Sequence, residues 1–573
     1  MSQPPSNRPD PSPLEGENNV RIRPSIFSTA PRLGSYRGDL VVISVALVSL
    51  ILAWIWMARI SRTDPWYRNT DMNIHNMVDA LSINSNVSPN GIDQPGLPLK
   101  YLLALDYRAR HYAGLLPVWN LKKFGGSKDP LREIPLLIHV GRMHSRAMVF
   151  LVILAAAWLV HSVTRSLDSA CLAIVLLCGS AGLLFHGLLT RPELLCVGFG
   201  NVLALACVWR ATATASRLRH HVWLFLAGLF VGLAVLTKLP GICYLIPCYA
   251  WCWLAAFTAQ PRVPAPDEAS FWRGLLPAAG GASVFLLLFQ ITKSHAAFDP
   301  LVALRLRLAA VGVGALPLLA LWSGRNRFWS FLIERSRELA LLGAGALAAL
   351  SVGYWTLRAV MTESSAADYC AGVLHVLVNP NSVMPFILAR KPDVTREFLR
   401  FFTETPLLFL SATAVTVAVC FVRSVPPRLK AFILLLLVTG LGMTLLMSKR
   451  HFTAQYSIFP QVPLLLAWAL SLFAFFSVWR QKEPQTNGAH WTFPVTLTAI
   501  FVLMLGVYFR LEPKYTSYQN DAALPVNELT LTFLFDHDVH TQRYLEIMKD
   551  HYGDREAFAK ALDRYLSDPA NRY

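Results

Sequence analysis

Residues 39–57 read DLVVISVALVSLILAWIWM. After Asp39 the stretch carries no charge, and as a helix it covers about 27 Å, close to the ~30 Å apolar thickness of a bilayer. The segment that follows has the opposite character. NTDMNIHNMVDAL, residues 69–81, holds two aspartates, a histidine and three asparagines. A spanning helix followed at once by a polar segment predicts a membrane protein with chemistry placed just outside its first helix.

The whole chain agrees with that reading. Of its 573 residues, 54% are hydrophobic and only 15% charged, and the mean hydropathy is +0.42. A soluble chain of this length needs more charge on its surface. About thirteen apolar runs are long enough to be candidate spans, near 40–58, 146–163, 169–189, 194–210, 221–237, 239–258, 274–292, 301–322, 339–359, 406–422, 430–447, 454–478 and 492–509. The expected fold class is therefore an all-α polytopic membrane protein. The third and fourth runs are separated only by TRPE, and the fifth and sixth only by KLPG, so each pair reads as a tight hairpin.

The net charge of +17 does not point to nucleic acid. The basic residues sit between the apolar runs, where topology and lipid headgroups use them. With the N-terminus inside, the inner segments hold Arg8, Arg21, Arg23, Arg32 and Arg37 in the tail, then Arg165, then Arg210, Arg217 and Arg219. Arg262 and Arg273 follow, then Arg325, Arg327, Arg335 and Arg337, then Arg423, Arg428 and Lys430, then Arg480 and Lys482. This distribution predicts a cytoplasmic N-terminus and, with an odd number of spans, a C-terminus outside. The chain then divides into a disordered cytoplasmic tail, 1–38, a transmembrane domain, 39–509, and an outside C-terminal helical segment, 510–573. Large outside loops are expected at about 59–145 and 360–405.

Those outside segments contain amphipathic stretches. GLPLKYLLALDYRARHYAGLLPVW, residues 96–119, reads as a helix lying in the interface. SAADYCAGVLHVLV and VTREFLRFFTE look similar in the second loop, and VHTQRYLEIMKDHYGDREAFAKALDRYLSD predicts a small helical cap in the tail. Eight of the nine cysteines lie within apolar runs and show no metal-site spacing, so they read as small buried residues.

The middle of almost every run lacks ionisable residues, which disfavours an ion-coupled transporter or proton pump. Charges gather instead at the outside ends: Arg191 and Glu193 in LTRPELL, Lys238 in LTKLPG, and Lys449, Arg450 and His451 in SKRHFTAQYSIFP. With Asp64, Asp71, Asp79 and Asp93 they can ring one cavity. Cations in a partly dry cavity hold phosphate, and a carboxylate beside them can take a proton.

These pieces, in this order, resemble the integral-membrane glycosyltransferases of the GT-C superfamily that use polyprenyl-phosphate sugars. The likeness is greatest to the protein O-mannosyltransferases and the bacterial transferase that adds aminoarabinose to lipid A. It rests on TDMNIHNMVDAL, on DQPGLPLKYLLAL, on RPELLCVGFGNVLAL, on GLFVGLAVLTKLPGICYLIP and, more weakly, on RHFTAQYSIFPQVPLLLAWAL, which includes Tyr456. Two positions depart from the pattern: the usual second acid is Met72, and the lysine of a Glu-Lys-Pro motif is Gln94.

The resemblance implies a GT-C fold and inverting transfer of a sugar from a polyprenyl-phosphate donor to an acceptor hydroxyl on a lipid, glycan or protein. It implies that Asp71 is the general base, with Asp79 and Asp64 as fallbacks. Arg191, Glu193, Lys238, Lys100, Lys449, Arg450, His451 and Tyr456 would bind donor phosphate or substrate. Asp93 and Gln94 are candidates for acceptor binding, or Asp93 for a divalent metal ion. The implied setting is a bacterial inner membrane with a periplasmic site. Simpler roles exist for several of these residues. Asp71 can cap the helix that follows it, His75 can be a satisfied polar residue, and DHDVH at 536–540 can be a solvated loop instead of a metal site. The alternative functions are a multispan lipid or solute transporter or flippase, and a non-catalytic scaffold.

Overall fold

The computed structural model describes residues 36–67, 70–89, 96–258, 327–359, 406–448, 456–482, 489–516, 528–535 and 542–572. The described residues are helical throughout, with no strand, as the composition requires of a membrane protein. In chain order the helices are α1 (Tyr36–Thr63), α2 (Thr70–Ile83), α3 (Leu97–Tyr112), α4 (Leu121–Gly125) and α5 (Pro130–Thr164). Next come α6 (Leu167–Cys178), α7 (Ala181–His186), α8 (Glu193–Val197), a π-helical turn (Gly198–Leu203), α9 (Ala204–Ala213) and α10 (Arg217–Thr237). They are followed by α11 (Leu245–Thr258), α12 (Arg327–Arg358), α13 (Pro406–Phe421), α14 (Pro427–Ser448), α15 (Ile458–Lys482) and α16 (Ala489–Thr516). Three short helices close the chain: α17 (Glu528–Phe535), α18 (Gln542–Tyr552) and α19 (Arg555–Ser567).

Nine helical segments among the described residues are long and apolar enough to cross a membrane. Two more of the thirteen apolar runs appear as shorter helices, α6 with α7 and α13. The runs at 274–292 and 301–322, and the amphipathic stretches of the second loop, lie outside the described residues. The third run is broken, not continuous, because Gly179 ends α6 and Ser180 caps α7 by accepting from Leu183 N at 3.3 Å. The Gln461 side chain of α15 fills the break, taking bonds from Ser180 Oγ at 2.8 Å and Gly182 N at 2.9 Å. A backbone gap at membrane depth needs such partners.

The second span is longer than its apolar run. Helix α5 has 35 residues, about 52 Å, well beyond a bilayer core. Asp129 starts it by accepting from Leu131 N at 3.2 Å, and Pro130 occupies the first turn, where no amide proton is needed. Its first turns stand clear of the main apolar core and enter a second, separate one. That core joins Trp66, Leu81, Tyr107, Phe124 and Ile134 to Tyr544 and Phe558 of the C-terminal helices. The described residues near 66–140 and 530–572 thus form one cap. Trp66 Nε1 donates to Asn571 O at 2.9 Å, Thr530 Oγ1 to Tyr67 O at 3.2 Å, and the Tyr552 hydroxyl to Asp129 Oδ1 at 2.9 Å. Burial pushes the Tyr552 phenol up. Gly553, at φ 82°, turns the chain between α18 and α19, and Asp554 caps α19 by accepting from Ala557 N at 2.8 Å.

Helix polarity places the other end of the bundle by itself. There Arg428 donates to Thr212 Oγ1 at 2.9 Å, Arg335 to Cys252 O at 2.7 Å and Arg210 to Ser162 Oγ at 3.2 Å. The capped end and an arginine-rich end are therefore opposite.

The closest helix pair is α10 with α12. A Cβ on Gly228 would strike Leu342 O, one on Gly345 would strike Phe225 O, and one on Gly232 would press on Ala346. Small residues four apart let two backbones touch in a bilayer, where packing replaces the hydrophobic drive. Gly228→Leu is expected to cost about 3 kcal/mol, the upper end for overpacking. Gly442→Leu, which meets open space, is expected to be near neutral. Thermal unfolding of the two purified variants checks the pair.

Candidate functional site

The site is built from α2 upward. Helix α2 is part of the cap, with its residues from Asn73 onward buried. Asn73 Oδ1 accepts from Thr190 N at 2.9 Å, and Asn76 Nδ2 donates to Thr190 O at 2.9 Å. Two side chains three apart on one helix thus satisfy both backbone groups of one residue in the TRPE turn. From the other side α5 presses in at Gly141, where a Cβ would lie 2.6 Å from Thr190 Oγ1. Pro192 then opens the next helix with φ −74°. The turn is held in one position relative to α2. Asn76→Ala strands the Thr190 carbonyl in a buried place and is expected to cost about 1–3 kcal/mol, read by thermal unfolding.

The turn leads into an ion cluster. Glu193, fully buried, accepts a hydrogen bond from Lys238 Nζ, and Arg191 Nη1 lies 3.6 Å from the same oxygen. Lys238 Nζ also sits 5.3 Å from the centre of the Tyr456 ring. Lys238 comes to this place because Pro240 breaks the helix: residue 238 is extended at φ −158°, between α10 and a 3-10 turn. His186 is buried nearby, with Nδ1 2.7 Å from Gly182 O. Arg191, Lys238 and Glu193 carry a formal charge of +1 between them.

A second cluster lies on α2 itself. Asp79 Oδ2 is 2.7 Å from Lys100 Nζ of α3 and 3.3 Å from His75 Nε2, with Asp79 and Lys100 fully buried. Lys100 is therefore part of the cap interior, whereas its amphipathic stretch reads in sequence as lying on the interface. Asp71, His75 and Asp79 follow one another at four-residue spacing, so they form one stripe along α2. Helix α2 begins at Thr70, which puts Asp71 inside its first turn, not ahead of it. Only the backbone of Asp71 belongs to the described part.

Asp64 is committed elsewhere. Arg142 of α5 donates to Ser61 O at 3.2 Å, Asp64 O at 2.7 Å and Pro65 O at 3.2 Å, and its Nη2 lies 3.3 Å from Asp64 Oδ2. One guanidinium thus closes the C-terminal carbonyls of α1. Asp93, Gln94, Lys449, Arg450 and His451 lie outside the described residues, as does DHDVH. Among the described residues no group of three or more His, Cys, Asp and Glu side chains is arranged to hold a metal ion.

The structure thus brings Arg191, Glu193, Lys238 and Tyr456 together, and sets Asp79 with Lys100 and His75 as a second cluster. Sequence reading missed Asn73, Asn76 and Arg142. The i, i+3 asparagines on a helix facing a membrane hairpin were the available signal for the first two.

Residues 139–263 match the family model described as dolichyl-phosphate-mannose-protein mannosyltransferase. Both the TRPE and TKLPG turns lie inside that stretch, and the family resemblance drawn from them is borne out there. No curated protein matches the sequence. Similar solved structures include the archaeal oligosaccharyltransferase AglB from Archaeoglobus fulgidus in complex with an inhibitory peptide and a dolichol-phosphate. It has 15% identity and a TM-score of 0.48, covering 92% of this chain and 60% of that one. The apo form of the Archaeoglobus fulgidus oligosaccharyltransferase gives 14% identity and a TM-score of 0.43, covering 82% and 56%. The chain spans about three-fifths of the length of these structures.

Proposed function

We propose that the protein is a glycosyltransferase that moves a sugar from a polyprenyl-phosphate donor to an acceptor hydroxyl at the capped end of the membrane bundle. The observation that carries this reading is the docking of α2 on the TRPE turn, which belongs to the stretch matched by a lipid-phosphate-sugar transferase family. It sets the first turn of α2, with Asp71, on the same element that grips the turn bearing Arg191 and Glu193.

In the reaction the acceptor oxygen bonds to the anomeric carbon as the bond from that carbon to the phosphate oxygen breaks. The electron pair leaves with the polyprenyl phosphate, and the acceptor proton passes to a carboxylate. One displacement inverts the anomeric centre and needs one base, not the carboxylate pair of a glycosidase. Asp71 is the base in this reading. Arg191 and Lys238 favour the departing phosphate as positive groups set side by side on the two turns. Tyr456, beside Lys238, lines the same place, and Lys449, Arg450 and His451 are further donor contacts from the segment just before it. Asp93 and Gln94 are assigned to the acceptor, or Asp93 to a divalent ion.

The arginine-rich end, opposite the cap, supports a cytoplasmic N-terminus and a periplasmic cap and C-terminus in a bacterial inner membrane. The acceptor is a lipid, glycan or protein hydroxyl. Purified protein incubated with a panel of polyprenyl-phosphate sugars and candidate acceptors is expected to discharge one donor, with release of polyprenyl phosphate seen by mass spectrometry. A protein that leaves every donor intact in the presence of acceptor would contradict the reading.

A further inference from the structure

At the end opposite the cap, the turn after α5 and the start of α10 enclose a groove of about 590 Å³. Arg165, Arg210, Arg219 and Thr214 line it together with Ala213, Leu218, Val222 and Trp223, with no acidic side chain among the described residues. The three arginines come from three span ends: Arg165 follows Thr164, Arg210 lies just before Ala213, and Arg219 is in the first turn after Arg217. They therefore stand at headgroup depth.

Two features set this groove apart from arginines that merely reach toward headgroups. Arg165 closes α5 in the left-handed region, at φ 59° and ψ 24°. A helix end of this kind favours glycine, and Arg165 holds there a backbone conformation that residues with a Cβ rarely adopt. Arg210 is also fixed in advance, by Ser162 Oγ at 3.2 Å and by the Trp158 ring 5.4 Å from its Cζ, while its Nε is buried with no protein partner. Beside these cations Leu218 is 75% exposed and Val222 48% exposed, an apolar strip continuous with the lipid-facing side of α10.

We propose that this groove binds the headgroup phosphate of an anionic phospholipid of the phosphatidylglycerol class, with one acyl chain along Leu218 and Val222. The three guanidiniums match a phosphodiester that has no cation of its own, and repel the choline of a zwitterionic lipid. The start of α10 adds its partial positive charge and its amides. A bound headgroup ties the turn between α5 and α6 to the turn between α9 and α10, and so braces four helices of the bundle. The site is remote from the capped end and stands independently of the proposed sugar transfer.

The test uses the full-length protein in nanodiscs of phosphatidylcholine, with increasing phosphatidylglycerol, and reads the unfolding temperature and the lipids retained in native mass spectra. Wild type is expected to gain stability saturably with phosphatidylglycerol and to retain it selectively. Arg219→Gln and Arg165→Gly are each expected to weaken that response about five-fold, the equivalent of roughly 1 kcal/mol per basic residue near the surface. Arg165→Gly has a second readout. In pure phosphatidylcholine it is expected to be as stable as wild type or more so, because glycine relieves the left-handed backbone. Three results would overturn the proposal: no phosphatidylglycerol response in wild type, an undiminished response in both variants, or the same stabilisation from millimolar inorganic phosphate.

Discussion

Asp71→Asn is expected to lower sugar transfer by about 10²–10⁴-fold, the usual range for removing a positioned general base, while leaving the protein folded. Asparagine keeps the shape of the side chain, and Asn73, Asn76 and Asp79 each tie α2 to its surroundings. The variant is assayed for transfer with the matched donor and for thermal unfolding side by side. Normal turnover in a folded Asp71→Asn protein would move the base elsewhere. The choice of Asp71 over its two rivals follows from where those rivals are spent. Asp64 is clamped by Arg142 at the end of α1, and Asp79 is shared between Lys100 and His75.

The second large effect belongs to the Asp79–Lys100 pair. Lys100→Met leaves the Asp79 carboxylate buried without its nearest cation and is expected to destabilise the cap by about 3–5 kcal/mol. Asp79→Asn alone removes the carboxylate 2.7 Å from the buried lysine ammonium and is expected to cost a similar amount. Asp79→Asn combined with Lys100→Met removes both charges, and is expected to recover more than half of the single-variant loss, because the cost of a broken buried pair lies mainly in the orphaned ion. Denaturant unfolding of the four proteins measures the cycle. The double variant also separates structure from chemistry. If Asp79 only holds α3 against α2, the folded double variant keeps activity; if it were the base, the same protein would be folded and inactive.

Local features were legible in sequence, and tertiary partners were not. Apolar length gave the spans, and Pro192 and Pro240 marked the two hairpins correctly because proline acts within its own few residues. The broken run at Gly179 escaped notice because hydropathy does not see a break whose backbone is satisfied by Gln461, some 280 positions away. Lys100 in an amphipathic stretch reads as a residue reaching for headgroups; only the fold shows Asp79 beneath it. The C-terminal helices read as a small cap by their periodicity. That they share one core with Trp66 and Phe124 depends on contacts across nearly the whole chain, such as Trp66 with Asn571. In the candidate site, the charges at the ends of spans were visible as a set. Their sorting into a Glu193–Lys238–Arg191 cluster and an Asp79–Lys100–His75 cluster was not, since sequence gives charge without distance.

The cap explains why so short a C-terminal segment is built as it is. Its helices add no span, yet they bury Tyr544 and Phe558 against the elements that carry α2. The segment therefore shares one apolar core with the elements that carry α2.

The most direct measurement reconstitutes the protein in vesicles with a labelled polyprenyl-phosphate sugar and a soluble acceptor, and follows sugar transfer and lipid translocation together. The account predicts one polyprenyl phosphate released for each glycosylated acceptor, with the anomeric configuration of the product opposite to that of the donor. Translocation of the labelled lipid, or uptake of the sugar, with no glycosylated acceptor formed would contradict it.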